Sequence, residues 1–126
     1  MAPVSCKVVV VDDNEDAVDT LVLYLRAIGH NALGVKDPLK AEAVIEDFAP
    51  RIVFLDIAMP ELDGWELAKR LRARYSPDDL TLVAMTAYTA QRDRAKSRES
   101  GFDAHLNKPA DLDLVAAIMQ QFFPVA

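Results

Sequence analysis

The sequence has few of the residues on which several classes of small protein depend. Its 126 residues include one cysteine, Cys6, and two histidines, so an internal disulfide and the usual four-ligand zinc signatures are excluded. The 14 basic and 20 acidic residues give a net charge of -6, which argues against a protein that binds nucleic acid through its phosphates. No apolar run approaches the roughly 18 residues of a membrane span. The N-terminus MAPVSCK lacks a long apolar stretch, so we expect no signal peptide and a reducing, cytoplasmic setting.

The composition that remains is typical of one compact globular domain. Hydrophobic residues make up 52% of the chain and charged residues 27%. A chain of this length buries roughly two thirds of the surface that its unfolded form exposes. We therefore expect a single domain over residues 1–126 whose core needs neither a metal nor a disulfide.

Short apolar runs alternate with longer amphipathic stretches along the chain. The runs predict five strands, over 8–11, 31–35, 51–56, 80–86 and 104–106. Apolar spacing, caps and stop signals predict five helices. The first ends near Gly29 and the second ends at Pro50. The third contains residues 67–71, the fourth spans 89–100, and the fifth runs from Asp111 to about Phe123. The basic residues of the third helix, Arg72 among them, are expected on its outer side and last turn. This alternation predicts parallel strands joined by right-handed crossovers, with helices on both faces of the sheet.

Polar side chains stand at the carboxyl ends of these strands, which is where open sheets of this kind bind ligands. They are Asp12 and Asp13 after the first strand, Asp56 at the end of the third, Thr86 at the end of the fourth, and Lys108 with Pro109 after the fifth. Three clustered carboxylates repel one another unless cations share them. Lys108 supplies one positive charge, and Mg²⁺, which prefers oxygen ligands, is the natural second cation.

Each of these residues has an ordinary structural explanation when it is taken alone. Asp13 or Asn14 would cap the first helix, Thr86 would be a strand-end hydroxyl, and Lys108 would be a solvated loop charge. Their joint occurrence at four strand ends is what indicates a functional site.

Four stretches of the sequence resemble, in the same order, those of a receiver domain of a two-component response regulator. The stretches are VVVVDDNED, VFLDIAMPELDGWEL, MTAY and GFDAHLNKP. The resemblance covers roughly residues 7–123, and its last stretch is similar to receivers attached to hybrid sensor kinases and to their stand-alone relatives. It implies a flavodoxin-like α/β fold with a five-stranded parallel sheet of order 2-1-3-4-5.

The resemblance also implies a role for each residue at the strand ends. Asp56 would be the phosphoacceptor, which takes a phosphoryl group from a phosphohistidine of a sensor kinase or phosphotransfer protein. The ligands of Mg²⁺ would be Asp12, Asp13, Asp56 and the backbone carbonyl of Ala58. Thr86 and Lys108 would each bind a phosphoryl oxygen, and the bond between Lys108 and Pro109 would be cis. Phosphoryl transfer needs mainly positioning and charge neutralisation, which these groups supply.

A conformational switch and a partner surface follow from the same resemblance. Thr86 would move toward the phosphoryl group while His105, where tyrosine or phenylalanine is more usual, would turn inward. Ala58 and Tyr88 would overhang the acceptor and modulate the lifetime of the phosphoryl group. A downstream protein would bind the face formed by the helix over 89–100, the last strand and the last helix. In this family, the receiver dimers that activate DNA-binding regulators form charge pairs with a basic residue of the last helix. The last helix of this chain has no lysine or arginine, so we do not expect a dimer of that kind.

Three other functions stay open on the sequence. An aspartate-nucleophile phosphatase would carry its nucleophile in a DxD pattern after the first strand, whereas these aspartates are adjacent. A flavodoxin-type cofactor carrier would need a hydroxyl- and glycine-rich loop where this chain has DDNED. A degenerate receiver would act only as an interaction module and would not need the full set of site residues. We expect a non-enzymatic phosphoacceptor that assists its own phosphorylation and dephosphorylation, with its output passing through its own surface.

Overall fold

The computed structural model describes residues 5–57, 63–86, 99–108 and 110–123. Its elements in chain order are β1 (Lys7–Val11), α1 (Glu15–Ala27), β2 (Asn31–Val35), a short 3-10 helix (Pro38–Lys40), α2 (Ala41–Phe48), β3 (Ile52–Asp56), α3 (Gly64–Arg74), β4 (Thr81–Thr86), β5 (Ala104–Asn107) and α4 (Leu112–Phe122). All five predicted strands are present. The predicted helix over 89–100 falls almost entirely outside the described residues.

The five strands form one parallel sheet in the order β2-β1-β3-β4-β5, which confirms the expected topology. The chain moves outward from β1 to β2 and then returns to place β3 on the other side of β1. The carboxyl ends of β1 and β3 are therefore neighbours at the point where the strand order reverses, and ligands bind at such points in open α/β sheets.

The central strands are buried on both faces, as their continuous apolar runs predict. Every residue of β3 and β4 is buried, and so are the four valines of β1. Ile45 of α2 and Leu67 of α3 pack on one face of the sheet, while Leu25 of α1 and Val115 of α4 pack on the other. Within the described part of the chain, none of the helices has the length and apolar character that a membrane span requires.

Arg72 is the clearest departure from the predicted helix faces. It was expected on the outer side of α3, but its side chain is only 14% exposed and crosses toward the starts of β4 and β5. Its Nε donates to the carbonyl of Gly101 at 2.8 Å, and another guanidinium nitrogen pairs with the carboxylate of Asp103. Asp103 in turn accepts a hydrogen bond of 2.9 Å from the backbone of Leu82. Arg72 therefore joins three chain segments rather than facing solvent.

Cys6 and His30 form a buried pair at the end of the sheet opposite the carboxyl edge. Nδ1 of His30 lies 3.3 Å from the backbone nitrogen of Cys6, which donates to it, and 3.4 Å from the Cys6 sulfur. Burial lowers the pKa of His30, and burial raises the pKa of Cys6 against an opposing effect of Arg51. Both groups are therefore neutral near pH 7, and a thiol in that state is a poor nucleophile.

The free energy of unfolding is expected to decrease as the pH falls below 6.5, the ordinary pKa of His30. Because folding lowers this pKa, the unfolded chain takes up the proton first. The stabilising contribution is thus present above pH 6.5 and is lost as the pH falls toward the folded-state pKa. Urea denaturation across this range should show a shallower pH dependence for His30→Gln than for the wild type. Equal slopes in the two proteins would show that another group is responsible.

Candidate functional site

Three aspartates lie together at the carboxyl edge of the sheet. Asp12 and Asp13 directly follow β1, and Asp56 is the last residue of β3. One carboxylate oxygen from each residue lies within 4.8 Å of the others. Asp12 and Asp56 are each 1% exposed, whereas Asp13 is exposed. The cluster therefore has two buried carboxylates and one that faces the solvent.

Lys108 is the cation that the structure places against these carboxylates. Its Nζ lies 2.9 Å from Oδ2 of Asp12 and donates a hydrogen bond of 3.2 Å to Oδ2 of Asp56. Burial by itself would lower the pKa of Lys108, but the contacts with Asp12 and Asp56 outweigh burial and raise this pKa. The backbone nitrogen of Lys108 donates to the carbonyl of Thr86 at 2.8 Å, so β4 holds this lysine at the edge.

The orientation of Asp12 is set by the start of α1. The backbone nitrogen of Asn14 donates to Oδ1 of Asp12 at 3.0 Å. The side chain of Asn14 accepts from the backbone nitrogen of Ala17 at 3.1 Å and caps α1. Asn14 is therefore the helix cap, and the alternative explanation that Asp13 serves as the cap is wrong.

A divalent cation fits this arrangement of ligands. Three carboxylates face one ammonium group, so the described groups leave an excess of negative charge. Oδ2 of Asp12 is buried, and its contact with the ammonium group of Lys108 at 2.9 Å is an ion pair without the geometry of a hydrogen bond. A carboxylate oxygen has more than one lone pair, so a second cation can bind on its other side. The donors are all oxygens and one side of the cluster is open to solvent, which suits Mg²⁺ because it keeps several of its waters.

Of the other predicted site residues, the structure describes Thr86 and His105. Thr86 is the last residue of β4 and is 2% exposed. His105 lies in the edge strand β5 beside Ala84 and is half-buried. Ala58, Tyr88 and Pro109 lie outside the described residues. The fourth metal ligand, the loop modulators and the cis peptide bond therefore stay predictions, as does the switching role of His105.

The site opens to a cavity of about 290 Å³ between the first turns of α1 and the connection from β5 to α4. Asp12 and Lys108 line the cavity on the side of the aspartate cluster. Leu21, Met85 and Leu112 contribute apolar surface to it. Asp56 is not among the described residues that line this cavity.

The sequence places Asp63 and Gly64 beside the site but assigns Gly64 no role in it. Gly64, the first residue of α3, lies against the backbone of Asp56 and Ile57. The only sequence signal is a glycine that opens the helix after the loop behind Asp56. That signal also fits an ordinary turn, so the contact could not be inferred without the fold.

Known proteins resemble this chain in both sequence and fold. The profile of the family described as the response regulator receiver domain matches residues 8–120. An uncharacterised 14.6 kDa protein of Leptolyngbya boryana is 35% identical over 114 residues, which cover 90% of this chain and 87% of that protein. Protein PilG of Pseudomonas aeruginosa is 30% identical over 123 residues, which cover 94% of this chain and 91% of PilG.

A longer protein is similar to this chain in sequence, and a solved structure is similar to it in fold. The DNA-binding dual master transcriptional regulator RpaA of Synechocystis is 26% identical over 88% of this chain, but the matched region covers only 46% of RpaA. The chain thus spans about half the length of that relative. The chemotaxis protein CheY4 of Vibrio cholerae superimposes with a TM-score of 0.87, covering 94% of this chain and 99% of that one. Its sequence identity is 20%, so this likeness concerns the fold alone.

Proposed function

Because the chain belongs to the response regulator receiver family, we propose that Asp56 accepts a phosphoryl group from a phosphohistidine of a sensor kinase or a phosphotransfer protein. The observation that supports this most is the cluster of Asp12, Asp13 and Asp56 with the ammonium group of Lys108 against it. It combines a carboxylate nucleophile with an arrangement that can neutralise a phosphoryl group.

The proposed transfer forms one bond and breaks one. A carboxylate oxygen of Asp56 attacks phosphorus, the bond between phosphorus and the donor's imidazole nitrogen breaks, and the electron pair of that bond stays on the imidazole. The product is an acyl phosphate on Asp56. Lys108 would pair with a phosphoryl oxygen, and the Thr86 hydroxyl would donate to another. Mg²⁺, held by Asp12, Asp13 and Asp56, would supply further neutralisation of the phosphoryl charge.

Signal output is proposed to occur by contact with another protein. Phosphorylation would change the surface formed by the segment 89–100, β5 and α4, and a downstream protein would bind one form of that surface. The chain is proposed to be a phosphoacceptor that assists its own phosphorylation and dephosphorylation rather than a turnover enzyme. A cytoplasmic location is part of the proposal, and the free, buried Cys6 thiol is compatible with a reducing compartment.

A phosphodonor of low molecular mass tests this proposal without a kinase. Purified protein is incubated with acetyl phosphate and Mg²⁺, and its intact mass is measured. We expect a gain of one phosphoryl group that is labile to alkali, as acyl phosphates are, and that EDTA prevents. Protein whose mass stays unchanged with both reagents present would contradict the proposed function.

Asp13→Ala is expected to weaken Mg²⁺ binding by about tenfold, which corresponds to about 1.4 kcal/mol. It removes the one exposed carboxylate of the cluster and leaves Asp12 and Asp56 in place. The half-buried Trp65, which follows Gly64 at the start of α3, provides a fluorescence signal for the titration. Asp47→Ala removes the same charge from an exposed position of α2 and serves as the control. Equal affinities for the Asp13→Ala and Asp47→Ala proteins would remove Asp13 from the ligand set.

A further inference from the structure

Gly64 lies so close to the proposed acceptor that no side chain fits between them. A Cβ built on Gly64 would lie 2.5 Å from the carbonyl oxygen of Asp56 and 2.6 Å from Cα of Ile57. Cβ atoms in proteins essentially never approach other atoms to less than 3.0 Å. Both neighbouring atoms belong to the backbone, so neither can be moved by rotating a side chain. The first turn of α3 thus packs directly on the main chain that carries the carboxylate of Asp56.

Hydrogen bonds fix the same piece of backbone from two sides. The nitrogen of Gly64 donates to the carbonyl of Ile57 at 3.1 Å, and the nitrogen of Ile57 donates to the carbonyl of Met85 at 3.2 Å. Asp63 holds the start of α3 in place, because its side chain accepts from the backbone nitrogen of Glu66 at 2.8 Å. The main chain at Asp56 and Ile57 is therefore held between α3 and β4.

We propose that Gly64 is a positioning residue for the acceptor. Its lack of a side chain lets α3 pack on the backbone of Asp56, and this contact sets where the Asp56 carboxylate stands relative to Asp12, Asp13 and Lys108. The inference rests on the proposed function, since it concerns the geometry of metal binding and phosphoryl transfer at that same site.

The size of the clash indicates how far the backbone at Asp56 would be displaced by a side chain at position 64. Ordinary contact of a Cβ begins at 3.4 Å, so the two backbones must separate by about 0.9 Å to admit an alanine at position 64. Mg²⁺ requires near-ideal octahedral geometry with ligand distances of about 2.0–2.1 Å. A misplacement of about 1 Å can cost about 100-fold in the rate of a transfer reaction. A small displacement of Asp56 is therefore expected to affect function more than the fold.

The test compares Gly64→Ala with a second glycine variant whose added Cβ meets a side chain, rather than backbone, at a similar distance. A Cβ on Gly34 would lie 2.4 Å from Cγ1 of Val18, a side chain of α1 that belongs to the core and not to the site. Mg²⁺ affinity is measured by calorimetry, the phosphorylation rate with acetyl phosphate, and the free energy of unfolding by urea denaturation. If Gly64 serves only the stability of the fold, both variants should have a lower free energy of unfolding and equal Mg²⁺ affinities.

Gly64→Ala is expected to bind Mg²⁺ about tenfold more weakly and to be phosphorylated about 100-fold more slowly. Gly34→Ala is expected to stay within about twofold of the wild type in both measurements. If Gly64→Ala is unfolded in buffer, both variants are measured in trimethylamine N-oxide, which favours folding without adding contacts.

Two results would overturn the inference while leaving the proposed function intact. One is a folded Gly64→Ala protein with wild-type Mg²⁺ affinity and phosphorylation rate. The other is a Gly34→Ala protein that loses as much of both as Gly64→Ala does. A wild-type protein that neither binds Mg²⁺ nor accepts a phosphoryl group would overturn the proposed function itself, and the inference with it.

Discussion

Asp56→Asn is expected to abolish phosphorylation while the protein stays folded. The amide has nearly the same shape as the carboxylate but lacks the anionic oxygen that would form the acyl phosphate. The substitution also removes one of three clustered negative charges, which relieves repulsion with Asp12 and Asp13. We therefore expect no detectable mass gain with acetyl phosphate and Mg²⁺, together with a free energy of unfolding that is close to the wild-type value.

The matched control for this substitution is Asp47→Asn, which makes the same chemical change at an exposed position of α2. That variant should be phosphorylated at the wild-type rate. Both variants are also compared by urea denaturation, so that a loss of phosphorylation cannot be attributed to unfolding. Undiminished phosphorylation of a folded Asp56→Asn protein would place the acceptor at another residue.

Lys108→Met is expected to slow phosphorylation and, at the same time, to strengthen Mg²⁺ binding. In the metal-free protein the ammonium group lies 2.9 Å from Asp12 and 3.2 Å from Asp56, so it neutralises the same oxygens that would hold the metal. A metal ion must compete with this contact, and its removal leaves the carboxylates with more uncompensated charge. We expect Mg²⁺ affinity to rise by about tenfold, or about 1.4 kcal/mol.

The loss of phosphorylation in Lys108→Met should be larger than the gain in metal affinity. Removing one preorganised group that stabilises developing charge typically costs about 100- to 1,000-fold in rate. Lys36→Met is the control, because Lys36 pairs with Glu15 and Asp19 on the surface and not with the site aspartates. Mg²⁺ affinity is measured by calorimetry and phosphorylation by initial rates. Weaker Mg²⁺ binding by Lys108→Met would show that the lysine helps to hold the ion instead of competing with it.

In the metal-free protein, Lys108 and His30 contribute to the pH dependence of the free energy of unfolding in different pH ranges. Folding raises the pKa of Lys108, so its stabilising contribution is complete below its ordinary pKa of 10.5 and is lost only as the pH rises through the higher folded-state value. The contribution of His30 changes at and below pH 6.5. Titration of Lys108 itself therefore contributes nothing to the change in stability around and below pH 6.5.

Much of the architecture could be predicted from the sequence, because the pattern of apolar residues encodes it directly. The valines at 8–11 and the run at 52–55 are buried on both faces of the sheet. Strands of that kind require helices on both sides, and the amphipathic stretches between them supply the helices. The aspartates and the lysine stand at strand ends, so the direction of parallel strands was enough to place them at one edge. Ala58, Tyr88 and Pro109 lie outside the described residues, as does almost all of the helix over 89–100, and these stay predictions.

Only the tertiary structure decided which atoms meet at that edge. Lys108 and Asp56 are 52 positions apart in the chain, and their contact depends on the packing of β3, β4 and β5. The helix period placed Arg72 on the outer face of α3, yet its long side chain reaches Gly101 and Asp103. Gly64 likewise belongs to a different element from Asp56, and their close approach depends on the packing of α3 against the end of β3. Apolar periodicity reports which face of an element is buried, whereas these contacts depend on the relative positions of elements that are distant in sequence.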